Sequence, residues 1–210
     1  MKPSCPPRAG EKGVRRARVF RVGGTSLLCM SAPDFGENYS QELLKKAADL
    51  QHLRDIRWHH IGHVQTNKVR QLVPVAHLLH AVDRVKLARE LEKRAAAAGR
   101  RIEVLAQVNI AGEESKSGCS PDELGPLMDG LRQCEHVEVR GLMTMPPFLD
   151  DPEQVRPFFR KLRALRDRHG GPQELPELSM GMSHDFAVAI EEGATIVRVG
   201  TAIFGPRDPI

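Results

Sequence analysis

No stretch of the 210-residue chain approaches the roughly 20 consecutive apolar residues a helix needs to cross a bilayer, which rules out a transmembrane protein. The four cysteines (Cys5, Cys29, Cys119 and Cys134) form no CxxC pair and keep no regular spacing. That excludes a zinc ribbon or a disulfide framework and suits a reducing, cytoplasmic compartment. The N-terminus lacks the apolar segment of a secretory signal. Acid is nearly missing from residues 1–33, where seven Lys/Arg face Glu11 alone, whereas residues 34–210 carry 24 basic and 26 acidic groups. The net charge of +4 therefore belongs to a Pro/Gly-rich leader, 1–33, and the globular part, 34–210, is nearly neutral. The leader reads as solvated coil, with targeting or polyanion binding as its other readings.

From Phe35 onward apolar runs alternate with amphipathic stretches. A helix is expected over Glu37–Leu53, where Leu43, Leu44, Ala47, Ala48 and Leu50 keep helical spacing. IRWHHIG and HLLHAV read as strands; Asp83 would cap the helix VKLARELEKRAAAA, and Gly99 would stop it. IEVLAQVNI is a buried strand, followed by the capping box Ser120-Pro121-Asp122-Glu123. VEVRGLMTM, a helix opening at Asp151-Pro152, ELSMGM, the helix HDFAVAIEE stopped at Gly193, and IVRVGTAIFG complete seven strand–helix units. Alternating βα units demand a parallel sheet. No GxGxxG follows the first strand, so a dinucleotide-binding sheet is the weaker choice. A TIM-type (β/α)8 barrel is expected, with its first strand missing or replaced; Ala17–Val22 or Ser26–Met30 could fill the gap, the second preferred for its apolar content.

In such a barrel the chemistry sits at the C-terminal ends of the strands. Ser183 is expected to open a helix, whose free N–H groups favour an anion. Gly200-Thr201, at the next strand end, adds close backbone approach and a hydroxyl. The loops after strands seven and eight are the common phosphate site of these barrels. His59 and His60 would point to opposite faces of a strand and so cannot share a metal ion; His60 reads as a polar residue near the mouth. Trp58 reads as core. Cys119 and Cys134 have no neighbouring base in sequence to activate them. Lys116 is either a solvated loop lysine or a contact for an incoming ligand.

The segments FGENYSQELLKKA, WHHIGHVQTNKV, NIAGEESKSG, GLMTM, LSMGMSHDF and VRVGTAIFG, in this order, resemble the pyridoxal-phosphate homeostasis protein family. The likeness runs from about Asp34 to Arg207. It implies a barrel similar to the N-terminal domain of alanine racemase, without that enzyme's second domain. It also implies binding of pyridoxal 5′-phosphate by a protein that buffers and delivers the cofactor without catalytic turnover. Ser183, Gly200 and Thr201 would then hold the phosphate. Arg198 would face the pyridine nitrogen, where a permanent positive charge disfavours ring protonation and strong carbanion chemistry. Asn38 and Met143 would line the pocket near the ring, and Ser179 would support Arg198. Implied partners are the cofactor and the apoenzymes that receive it, with neither nucleic acid nor membrane, on a monomer or weak dimer.

The chain departs from that family at its first strand. The family's Schiff-base lysine, in an AVSK-type motif, would fall near Ala17, but no lysine lies between Lys12 and Lys45, and Lys12 sits in Gly-rich coil. Arginine cannot replace it, because its guanidinium stays protonated. Aldimine formation is therefore expected to be weak or absent. Two other readings remain open. A racemase-type enzyme needs a second acid/base opposite the lysine, for which Tyr39 is the only tyrosine. A nucleic-acid binder led by the basic arm would lose affinity steeply with salt.

Overall fold

The computed structural model describes residues 17–21, 34–113 and 116–205. Eight strands close a barrel in sequence order. They are β1 (Ala17–Arg21), β2 (Asp34–Glu37), β3 (Arg57–His60), β4 (Leu78–Val82), β5 (Ile102–Gln107), β6 (Val137–Met143), β7 (Glu177–Met182) and β8 (Ile196–Val199). Strands β2 to β8 are parallel. β1 runs antiparallel to both neighbours, Ala17 opposite Gly36 on one side and Arg18 opposite Val199 on the other. The first strand is thus replaced, and the replacement lies inside the segment read as leader. Sequence length explains its direction. A parallel connection needs a crossover of about a dozen residues or more, usually through a helix. Residues 22–33, with their Gly23-Gly24 pair and Pro33, offer no helical pattern for one. The preferred filler, Ser26–Met30, lies outside the described residues, as do Lys12 and most of the leader.

Helices α1 (Ser40–Asp49), α2 (Val69–Leu72), α3 (Val85–Ala97), α4 (Leu124–Arg132), α5 (Arg156–Arg168), α6 (Gly171–Glu174), α7 (Phe186–Glu191) and α8 (Thr201–Phe204) accompany the strands. The first is shorter than expected from Glu37–Leu53. Pairing in register with β3 keeps residues through Glu37 extended, and the chain must bend at Asn38–Tyr39 before it can coil. Asp83 does not cap α3. Its carboxylate is drawn to the Arg84 guanidinium at 2.5 Å, and Arg84 itself holds the extended N-cap position. The reciprocal bonds of the capping box form, with Ser120 Oγ accepting from the Glu123 N–H at 3.2 Å and the Glu123 carboxylate from the Ser120 N–H at 2.8 Å. They close a turn, however, and α4 begins only at Leu124 rather than at Pro121.

The main core lies between barrel and helices. Leu87, Ala88, Leu91 and Ala95 of α3 and Phe159, Leu162 and Leu165 of α5 are buried there. Each fully buried leucine or phenylalanine contributes about 1.5–3 kcal/mol. Trp58 belongs to this core. A separate cluster of Ile61, Leu78, Leu105, Met143 and Ile196 fills part of the barrel interior from inward strand positions. Among the described residues no helix is long and apolar enough to cross a membrane.

Candidate functional site

Beyond β7 the chain must turn sharply, and Gly181, at φ +92°, makes this possible: a Cβ there would lie 2.6 Å from the Ala189 Cβ of α7. The turn Ser183–Asp185 follows. Ser183 does not open the helix as expected. Asp185 holds the N-cap position, and its buried carboxylate accepts from the Met182 N–H at 2.6 Å. A carboxylate at the helix start is the stronger acceptor and leaves the serine free to turn the other way. Ser183 Oγ instead crosses to the end of β8, where it accepts from the Gly200 N–H at 3.1 Å and the Ala202 N–H at 3.3 Å. The two loop ends therefore converge, and Thr201 stands exposed between the two amides.

Arg198 lies below this cradle, on β8, 4% exposed. It donates through Nη1 to Ser179 Oγ at 2.6 Å and through Nη2 to the Thr144 carbonyl at 2.9 Å. Burial lowers its pKa to about 10, against the opposing charge of Asp185, so it stays cationic at neutral pH. Ser179 supports it as read. Met143 is buried in the interior cluster, one residue from the Thr144 carbonyl that touches Arg198.

Asn38 stands exposed at the rim above β2. Its backbone is pressed by the loop after β3, where a Cβ on Gly62 would lie 2.1 Å from the Asn38 carbonyl. No side-chain hydrogen bond among the described residues joins Asn38 to the Arg198 cluster. His60 points outward to α1, with Nε2 3.1 Å from Ser40 Oγ, and burial lowers its pKa to about 4. The inward histidine is His59, so the opposite orientation of the pair holds, and His60, at the C-terminal end of β3, is the hydrogen-bonding residue of its two expected readings rather than a pocket residue. Lys116 is pinned, donating to Glu113 at 2.9 Å and to the Pro146 carbonyl at 3.0 Å, which ties two mouth loops together. Burial pushes the Cys119 thiol up to about 12, leaving it inert.

Three groups escaped the sequence reading. One is the Thr144 carbonyl, a main-chain atom with no residue-type signal. Another is Asp185, whose charge faces Arg198; its signal was its place at a helix start. The third is a buried line behind Ser179. His80 Nδ1 is 2.9 Å from Ser179 Oγ, His80 Nε2 is 2.9 Å from His59 Nδ1, and His59 Nε2 is 3.0 Å from Asp34 Oδ1. His59 and His80 occupy inward positions of β3 and β4, a signal legible once the strands are placed.

A pyridoxal phosphate ligand can be tested against these residues. The hydroxyl of Ser183, the amides around Thr201 and the guanidinium of Arg198 fit a phosphate and a ring acceptor. Among the described residues none of the eight strands carries a lysine that could reach such a ligand from the barrel wall. The described lysines lie on helices or loops.

A family model for the N-terminal domain of alanine racemase matches residues 20–208. The pyridoxal phosphate homeostasis protein of Aquifex aeolicus is 53% identical over 175 residues, covering 82% of this chain and 76% of that one. The structure of PipY from Synechococcus elongatus PCC7942 with PLP bound matches at 35% identity and TM-score 0.72, covering 81% of this chain and 80% of that one. Alanine racemase from Corynebacterium glutamicum, at 20% identity and TM-score 0.61 over 83% of this chain and 48% of its own, shares the barrel fold alone. The chain belongs to the alanine racemase N-terminal domain family and, within it, to the pyridoxal phosphate homeostasis proteins.

Proposed function

We propose that this chain binds pyridoxal 5′-phosphate reversibly, by its phosphate and ring, and serves the intracellular supply of that cofactor. The observation that carries the reading is the convergence of Ser183 Oγ with the Gly200 and Ala202 amides beside a buried, cationic Arg198. Pyridoxal phosphate supplies an electron sink when its ring nitrogen is protonated. A guanidinium opposite that nitrogen opposes the proton, so Arg198 holds the ring while weakening its capacity for carbanion chemistry. The racemase-type alternative needs paired acid/base groups on both ring faces. Tyr39, the sole tyrosine, is 54% exposed at the rim, and no strand offers a lysine, so the binding role is favoured over turnover. Release to pyridoxal-phosphate-dependent apoenzymes in the cytoplasm, from a monomer or weak dimer, suits a site that holds its ligand without a covalent bond.

Equilibrium dialysis against pyridoxal phosphate and pyridoxal tests the reading. Saturable binding is expected for the phosphate ester, with pyridoxal weaker by at least about tenfold, the loss of one or two charge-assisted hydrogen bonds. Equal affinity for both, or racemisation of alanine by the purified protein, would overturn it.

A further inference from the structure

The polar line behind Ser179 crosses the barrel. It starts at Asp34, the first residue of β2, passes His59 on β3 and His80 on β4, spans the interior to Ser179 on β7, and ends at Arg198 on β8. Asp34, His59, His80, Ser179 and Arg198 are all buried, so none of these bonds competes with bulk water. A buried polar group without a partner costs about 1–3 kcal/mol, so every proton along the line has one preferred position.

Those positions follow from the two ends. Arg198 can only donate. At the other end, burial works to raise the Asp34 carboxyl, but its bonds to His59 and Arg57, the latter at 2.6 Å, hold it below its ordinary value, so it can only accept. His59 must then carry its proton on Nε2, which leaves Nδ1 as an acceptor. His80 must supply that acceptor from its own Nε2–H, which leaves its Nδ1 as an acceptor for the Ser179 hydroxyl. Ser179, with its proton committed to His80, presents a lone pair to Arg198. Every donor meets one acceptor, in one direction. With both rings neutral, reversing a single member would set two lone pairs or two protons against each other along the line. A complete reversal needs one more proton, on His59 beside the Asp34 carboxylate or on Asp34 itself, and would put the His80 proton on Nδ1. Among the described residues no cluster converges on a metal, so the line is not a ligand set.

We infer that Asp34, His59 and His80 are positioning residues: they lock the Ser179 hydroxyl in one orientation and so hold the Arg198 guanidinium at the angle it presents to a ligand. The inference rests on the proposed cofactor reading only for the identity of that ligand.

Long-range 1H–15N spectra of the side chains, recorded on the ligand-free protein at neutral pH, provide the first test. Both His59 and His80 are expected as neutral rings protonated on Nε2. A His80 ring protonated on Nδ1, or on both nitrogens, would overturn the inference. Two variants provide the second. Asp34→Ala should shift the Arg198 guanidinium resonance, bring a second His80 tautomer into view and weaken pyridoxal phosphate binding by about fivefold, the loss of roughly one hydrogen bond. Asp34→Asn combined with Arg57→Leu, in which the carboxamide oxygen can accept from His59 while its NH2 no longer opposes a guanidinium, should restore all three. An Arg198 resonance and His80 tautomer unchanged in Asp34→Ala would overturn the inference even if binding weakened. If the spectra behave as expected and the unsubstituted protein takes up no pyridoxal phosphate, the positioning line stands and the cofactor reading alone fails.

Discussion

The two flanks of the barrel seam, β8 and β1, are hydrogen-bonded neighbours that differ in what they carry. The β7–β8 flank ends in the site proposed for an anion: Ser183 bridges two amides, and Arg198 is fixed by Ser179 and the Thr144 carbonyl. The β1 flank closes the cylinder with an antiparallel strand, ARVFR, whose sequence contains no lysine. On the proposed reading, recognition of a phosphorylated ring and covalent capture of it are separable. The residues proposed for recognition lie at the ends of β7 and β8, whereas the family resemblance implies a capturing lysine on the first strand. A barrel can lose one while keeping the other, provided something still pairs the strand edges.

Acidification probes the side near β1 first. His60, buried beside α1, has its pKa lowered from 6.5 to about 4. As pH falls below 6.5 the unfolded chain takes up a proton that the folded chain does not, so stability drops until about pH 4 and then levels. The full contribution is about 3 kcal/mol, read by urea unfolding at successive pH values; His60→Leu should flatten that slope. On the other flank, Arg198→Met should weaken pyridoxal phosphate by about a hundredfold in equilibrium dialysis, since it removes a buried charge and its bonds. Gly62→Ala should cost about 1–3 kcal/mol in urea unfolding, because the new methyl meets the Asn38 carbonyl. The smallest effect is expected for Ser183→Ala. It leaves the Gly200 and Ala202 amides unpaired, at about 1 kcal/mol of stability, yet frees both for the phosphate. Ligand affinity should fall less than about fivefold. Losses of affinity confined to the β7–β8 variants and to the line that positions Arg198 would sharpen the comparison; an equal loss in Gly62→Ala would break it.

Much of this was legible in the sequence, and the reasons differ by element. Six of the seven parallel strands announced themselves because strands covered on both faces read as short apolar runs between amphipathic helices. The exception is β2, DFGE, which is too short and polar to do so and whose Glu37 was expected in the helix. The convergence of Ser183 with Gly200 followed from the barrel rule that places strand ends on one face. The direction of Ser183 did not, because it depends on Asp185, two residues on, which takes the N-cap position and ties its carboxylate back to the Met182 N–H. The closing strand could be placed only as one of two candidates, since ARVFR gains its pairing from β2 and β8, far apart in sequence. The Asp34–His59–His80 line was hidden for the same reason: its members lie on three strands, and only closure of the barrel sets His80 against Ser179.

The most direct measurement is borohydride reduction of the protein equilibrated with pyridoxal phosphate, followed by intact-mass and peptide mass spectrometry. Saturable binding that leaves the protein mass unchanged after reduction is predicted. A stoichiometric phosphopyridoxyl group fixed on a single lysine would contradict the separation of recognition from capture.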